Sequence, residues 1–169
     1  YNRLAADQGD KDSQYVLGLC YYTGEEMQKD YATAVKYFRL AADQGHKISQ
    51  YYVGVCYHFG YGVTQDYVTG VKYFQLSADQ GYANAQFNLG VCHFHGYGVP
   101  QNYSMAVKYY QLAADQGYAS AQYNLGFCYE HGSGVSKNRT EAIRLYRLAA
   151  AQGDEDAIKP LNRPLNRLM

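Results

Sequence analysis

The sequence predicts an all-α fold, a solenoid of antiparallel helix pairs, and three observations carry that prediction. The first is a fixed period. The stretch Ala85-Gln86-Phe87-Asn88-Leu89-Gly90-Val91-Cys92 returns as Ser13 to Cys20, Ser49 to Cys56 and Ala121 to Cys128, each 36 residues from the last. Gly9, Gly45, Gly81, Gly117 and Gly153 keep the same spacing. A period of about 20 to 50 residues marks units too small to bury their own apolar faces, which must stack on their neighbours. The second observation is that each period holds two segments with helical apolar periodicity, separated by a glycine-bearing reversal. The third is composition: 47% of residues are hydrophobic, enough for a core, and 21 are tyrosines, which pack a ring while the hydroxyl stays wet or finds a partner. Four full units plus partial ends account for the chain, predicting one elongated repeat domain over residues 1–158 and a tail or capping segment over 159–169.

The third unit shows the elements in order. Gly81 closes the preceding helix, because glycine tolerates the left-handed φ that a helix C-terminus favours. A first helix, A, is predicted over about Ala83 to His95, with Ala85, Gln86, Leu89, Gly90, Cys92, His93 and Gly96 on its core side. Gly90 costs about 1 kcal/mol against alanine in a helix, so its recurrence predicts a helix crossing too close for a Cβ. Gly96-Tyr97-Gly98-Val99-Pro100-Gln101-Asn102 follows as a tight reversal, with the valine plugging the gap between helices and Asn102 as N-cap. A second helix, B, over about Tyr103 to Gln116, places Tyr103, Ala106, Val107, Tyr110, Ala113 and Ala114 on one face and Lys108, Gln111 and Asp115 on the other.

The run Ala-Gln-Tyr/Phe-Asn-Leu-Gly-x-Cys-Tyr/His, then Gly-x-Gly-Val, then Ala-Val-Lys-Tyr-Tyr-x-Leu-Ala-Ala-Asp-Gln-Gly, resembles the Sel-one-like repeats, a family related to tetratricopeptide repeats. The resemblance covers residues 1 to about 158. It implies a right-handed superhelix that serves as a protein-binding adaptor, with the A helices lining the concave side. One secreted branch of the family carries paired, disulfide-bonded cysteines in each unit; this chain has one cysteine per unit and departs from that branch.

Three departures from the repeat carry structural expectations. The first unit has Gly24-Glu25-Glu26-Met27 in place of Gly-x-Gly-Val, so its turn must avoid positive φ at Glu26 or carry strain of about 1 kcal/mol. Gly70 stands where the other units have Ala34, Ala106 and Ala142, which softens that helix by about 1 kcal/mol. After Ile158 the repeat stops, with Pro160 inside what would be the next helix A. Pro-Leu-Asn-Arg then occurs at 160–163 and again at 164–167. Ile158, Leu161, Leu165 and Leu168 would lay an apolar stripe on the last unit as an end cap, against the cost of Pro164.

Composition excludes several function classes. Net charge is zero with the two signs interleaved, so the basic footprint of a nucleic-acid or anionic-membrane binder is missing. No run of 18 apolar residues spans a bilayer. The stretch from Tyr1 to Gly9 matches the end of a repeat, reads as neither signal peptide nor initiator, and suggests a module of a longer protein. The four cysteines hold one place in successive units, too far apart for disulfides when stacked helices lie about 10 Å apart. They read as small buried hydrophobes that lean the chain toward a reducing, cytoplasmic setting. Cys92, His93 and His95 fall on two sides of one helix and cannot share a metal ion, and no cofactor motif, nucleophile with a base, or phosphate loop occurs. Asn102-Tyr103-Ser104 and Asn138-Arg139-Thr140 match the glycosylation sequon but read as helix caps.

What remains is a surface. The side of helix A opposite its core carries four rows across the units: Asp12, Ile48, Asn84, Ser120; Val16, Tyr52, Asn88, Asn124; Leu19, Val55, Val91, Phe127; and Thr23, Phe59, His95, His131. Residue type varies within these rows and barely varies within the core rows. The candidate protein-binding residues are therefore Tyr52, Asn88, Asn124, Val55, Val91, Phe127, Phe59, His95 and His131. The groove holds no lysine or arginine, so aromatic and valine side chains would anchor a helix or extended segment while the asparagine amides meet its backbone. A competing reading has the Leu19 row packed between neighbouring A helices. A spacer, or a rod that assembles through its end units, is the alternative function.

Overall fold

The computed structural model describes residues 2–162 and contains ten α-helices and no strand among them. They group into two compact modules. The first reaches Ala85 and includes Tyr97–Pro100; it holds α1 (Asn2–Asp7), α2 (Lys11–Thr23), α3 (Tyr31–Asp43), α4 (Lys47–Phe59) and α5 (Tyr67–Asp79). The second takes Gln86–Gly96 and the chain from Gln101 onward. It holds most of α6 (Ala83–His95) and then α7 (Tyr103–Asp115), α8 (Ala119–His131), α9 (Arg139–Ala151) and α10 (Glu155–Leu161). Helices α2, α4, α6 and α8 are the A helices of the four repeats and α3, α5, α7 and α9 the B helices.

The helices of the third repeat fall where the sequence places them, Ala83–His95 as expected and Tyr103–Asp115 one residue short of the expected end. Asp30, Asp66, Asn102 and Asn138 sit in extended backbone, and their side-chain oxygens accept from the backbone N–H of Thr33, Thr69, Met105 and Glu141. Such a cap is worth about 1 kcal/mol. Gly24, Gly60 and Gly132 end their A helices in the left-handed region, donating their N–H to the carbonyls of Cys20, Cys56 and Cys128. The cysteine column thus lies in the last turn of the A helices. None of the four is in a disulfide; burial pushes the Cys56 and Cys92 thiols up to about 12 and the Cys128 thiol up to about 11.

The glycine column inside the A helices has a specific occupant. A Cβ at Gly18 or Gly54 would lie 2.6 Å from the ring of Phe38 or Phe74, and one at Gly90 or Gly126 would lie 2.5 Å or 2.9 Å from the ring of Tyr110 or Tyr146. An aromatic ring of helix B, rather than helix B's backbone alone, fills the space a side chain would need. Those four rings are 0–2% exposed and are the largest groups of the core. Ala34, Val35, Val53 and Cys56 are buried around Phe38, with half-buried tyrosines and Val63, the loop valine expected as a plug, packed against them.

A buried glutamine in α2, α4 and α8 ties three helix ends together. In the first module, Gln50 Nε2 donates to Ala42 O at the end of α3 while its Oε1 accepts from Gln80 Nε2, just past α5, at 2.7 Å. Gln14 makes the same pair of bonds with Ala6 O and Gln44. In the second module Gln122 does so with Ala114 O and Gln152. One amide therefore spans the preceding B helix, its own A helix and the B helix that follows.

A second column stacks rings in parallel: Tyr21 on Tyr37 at 6.0 Å and Tyr57 on Tyr73 at 6.2 Å. In the second module His93 takes the tyrosine's place on Tyr109, at 5.5 Å and 10° between planes. Burial pushes the imidazoles of His93 and His58 below the ordinary histidine range. His46 is shifted the same way by burial, against the pull of Asp12 at 3.7 Å.

Two departures resolve. Glu26 has φ 63° and is the only non-glycine at positive φ among the described residues, so its turn carries the strain. Its sister Gly62 sits at φ 70°, and a Cβ there would also run into the backbone of Tyr31 and Ala32. Helix continues past Ile158 to Leu161 with Pro160 inside it, and ends there. Leu161 packs on the cluster of Ala142, Tyr146, Ala149 and Ala157, whereas Ile158 is 44% exposed, so the expected stripe divides. Pro164, Leu165 and Leu168 lie outside the described residues.

Three outcomes follow from this packing, each read from urea unfolding followed by circular dichroism. Gln50→Leu leaves Ala42 O and the Gln80 amide without their shared partner and should cost about 1–3 kcal/mol, whereas exposed Gln80→Ala should cost less than about 1 kcal/mol. At the equivalent turns, Glu26→Gly should stabilise by about 1 kcal/mol while Gly62→Ala destabilises by about 2 kcal/mol or more, since a methyl there meets backbone. The unfolded chain's histidines take up protons near pH 6.5 and the buried ones only at lower pH. Stability should therefore be flat above about pH 7.5 and fall as pH drops below about 6.5. His93→Tyr, which restores the ring of the sister repeats, should reduce that slope.

Candidate functional site

The A helices present their outward faces because the opposite face is consumed by the ring-on-glycine contacts and the glutamine bridges. On α4 in the first module, Tyr52 is half-buried. Its ring stacks on Phe38 at 4.8 Å and 14°, and meets Tyr22 edge-on at 5.3 Å. Burial raises its hydroxyl's pKa above the ordinary tyrosine value. Val55 is 8% exposed, which corrects its place in the candidate set: it belongs to the core, as the packed reading of its row anticipates. Phe59 is 53% exposed, stacked on Tyr61 at 5.6 Å and edge-on to His58 at 4.7 Å.

The second module gathers its residues into a cleft. Val91, Phe94 and His95 of α6, Tyr110 of α7, and Tyr123, Asn124 and Phe127 of α8 line a hollow of about 240 Å³. Four of these, Val91, His95, Asn124 and Phe127, are sequence candidates. Asn88 is half-buried on α6 and His131 is exposed at the end of α8; neither lines the cleft. His131 supports it from behind, its ring 4.0 Å from that of Phe127 and its Nδ1 2.9 Å from Phe127 O. Phe94 meets Phe127 edge-on at 6.2 Å and 70°, so the aromatic walls hold each other at an angle. No lysine, arginine or carboxylate is among the lining residues.

Sequence reasoning missed Phe94, Tyr110 and Tyr123. Phe94 and Tyr123 flank core positions on their helices and have no place in the outward rows. Tyr110 comes from helix B and reaches the cleft because Gly90 has no side chain to stop it. A signal was present: the ring column reads Phe38, Phe74, Tyr110, Tyr146, so the second module alone adds a hydroxyl. Tyr146 spends its hydroxyl on Glu130 at 2.7 Å. Burial raises the pKa of the Tyr110 hydroxyl strongly.

A larger hollow of about 590 Å³ lies in the first module among Arg3, Tyr21, Met27, Gln28, Lys29 and Asp30. Its walls are mostly turn residues with charges of both signs and a single aromatic ring, Tyr21, already stacked on Tyr37, so the smaller cleft is the better candidate. No described helix is long and apolar enough to cross a membrane, and no cluster of three His, Cys, Asp or Glu residues among those described is placed to hold a metal ion.

Comparison with known proteins places this geometry. A model of the Sel1 repeat matches residues 11–46, 47–82, 83–118 and 119–154, so each match contains one A and one B helix. Among solved structures, c5321, described as a protective antigen present in uropathogenic Escherichia coli strains and displaying an SLR fold, is 41% identical with a TM-score of 0.89. The alignment covers 92% of this chain and 33% of that one. A Sel1 repeat protein from Oxalobacter formigenes is 31% identical with a TM-score of 0.83, over 89% of this chain and 60% of that one. This chain thus spans a third of the first relative and three fifths of the second. Cysteine rich protein B of Helicobacter pylori, 21% identical with a TM-score of 0.62 over 78% of this chain and 95% of that one, shares the fold. No curated protein matches. Proteins built from such repeats generally act as scaffolds for protein interaction, and with four consecutive matches over its length the chain belongs to the Sel1 repeat family.

Proposed function

We propose that the chain is an adaptor that binds an uncharged segment of another polypeptide on the A-helix face, the side expected to be concave, with the cleft between α6 and α8 as its anchor point. One observation carries the reading: the cleft pairs aromatic and valine walls with a side-chain amide, Asn124, and an exposed imidazole, His95, and has no fixed charge. Its volume of about 240 Å³ suits one large apolar side chain. An apolar hollow with few convergent polar groups is the common form of a recognition site, the walls supplying affinity and the amide fixing the direction of the bound backbone. A strongly acidic or basic segment would leave water without a compensating charge and is disfavoured.

Within the first module, accessible Phe59 offers a side chain of the same apolar kind. Tyr52, with its ring stacked on Phe38, contributes to the floor rather than the contact.

The reading is tested with a displayed library of uncharged peptides, each bearing one central aromatic or leucine anchor. Peptides enriched on the wild-type protein should bind the double variant Asn124→Ala, His95→Ala about 10-fold more weakly in fluorescence anisotropy, as expected for loss of roughly 1.4 kcal/mol of hydrogen bonding. Both side chains lie outside the core, so the helical circular dichroism should be unchanged. Equal binding by the variant, or no enrichment at all, would remove the cleft as the recognition site.

A further inference from the structure

The B helices carry an outward pattern that the adaptor reading does not use. Leu40, Leu76, Leu112 and Leu148 hold the same position in successive repeats and are 43%, 51%, 41% and 41% exposed. A lone exposed leucine needs no explanation, but one at the same phase of every B helix makes an unpartnered apolar feature. What surrounds it is ordered too. Four residues before the leucine stands an exposed cation, Lys36, Lys72, Lys108 or Arg144, and three residues after it an exposed carboxylate, Asp43, Asp79 or Asp115.

Residues at i, i+4 and i+7 share one face of a helix. On α3, α5 and α7 that face therefore reads cation, leucine, carboxylate along its length, with the two charges about 10 Å apart at 1.5 Å per residue and the leucine next to their midpoint. Such a strip is its own complement. Turned end for end, α5 of one copy sets Lys72 against Asp79 of another, Asp79 against Lys72, and the two Leu76 side chains against each other. Val68, 52% exposed one turn before Lys72, adds apolar surface at the same face. Ala151 stands where the acid would be, so of α3, α5, α7 and α9 only α9 lacks the pattern.

From this we infer that the B-helix face is a self-association surface, and that its partner is a second copy of this chain docked antiparallel, helix on helix, about a two-fold axis beside the leucine. A two-fold interface uses one patch twice and so requires a self-complementary one, which the charge order supplies. None of the strip's residues lines the A-helix cleft.

Sedimentation velocity from about 1 µM to about 1 mM, the range of weak complexes, tests it. The expected result is a mass that rises from 19.1 kDa toward twice that value and no further. Leu76→Glu should hold the chain at the monomer mass with its helical circular dichroism intact. A charge swap keeps the test decisive if that variant folds poorly. Lys72→Asp alone sets two carboxylates together and should weaken association about 10-fold, while Lys72→Asp with Asp79→Lys should restore it. A monomer at 1 mM, association indifferent to Lys72→Asp, a double variant that stays weak, or growth beyond the dimer would each overturn the inference.

Discussion

What each helix pair can offer outward depends on how closely its two helices lie, and that distance is set where a glycine of helix A receives a ring from helix B. The contact leaves no room for even one carbon at Gly18, Gly54, Gly90 or Gly126. It also makes the ring the largest buried group of the pair, so the site that costs helix A about 1 kcal/mol in propensity is where burial returns more than that. Once the ring is seated, the rotation of both helices follows. The glutamine bridge falls at one end, the tyrosine stack at its own phase, and the remaining A-helix residues are left facing out.

Because periodicity reports this arrangement directly, most of the fold is legible in the chain. The boundaries of α6 and α7, the caps at Asp30, Asp66, Asn102 and Asn138, and the buried side of helix A all follow from spacing and side-chain type. Two things do not. Spacing says that Gly90 faces something close but not whether that is backbone or ring; only geometry names Tyr110. Likewise Gln44 and Gln80 stand in a motif, Asp-Gln-Gly, that reads as a polar helix end, and their partners Gln14 and Gln50 are 30 residues away on another helix.

The candidate surface is legible only in part, for a related reason. A row on a helix face is a statement about direction from the axis, whereas accessibility depends on what the neighbouring helix brings. Val55 and Phe127 share a row, yet Val55 is enclosed and Phe127 lines a cleft, since the residues around them differ between repeats. Tyr52 and Asn124 share another, and the bulkier ring of Tyr52 leans onto Phe38 where an asparagine stays at the rim. Variation within a row thus marks where the repeats diverge, and the three-dimensional setting decides which of the varied side chains remain reachable.

The glutamine bridge has a consequence for how such a chain can change length. Gln14, Gln50 and Gln122 reach backward to the carbonyls of Ala6, Ala42 and Ala114 and forward to Gln44, Gln80 and Gln152, with the same atoms at these three junctions. A gene that lost the codons for residues 47–82 would bring Gln86 to the place Gln50 holds, beside the same alanine carbonyl, and would need no compensating mutation at the join. The latch is indifferent to which neighbour it closes on. Loss or gain of a whole 36-residue unit therefore preserves the partners of this latch, while a register shift between Ala42 and Gln50 would leave a buried amide without its carbonyl.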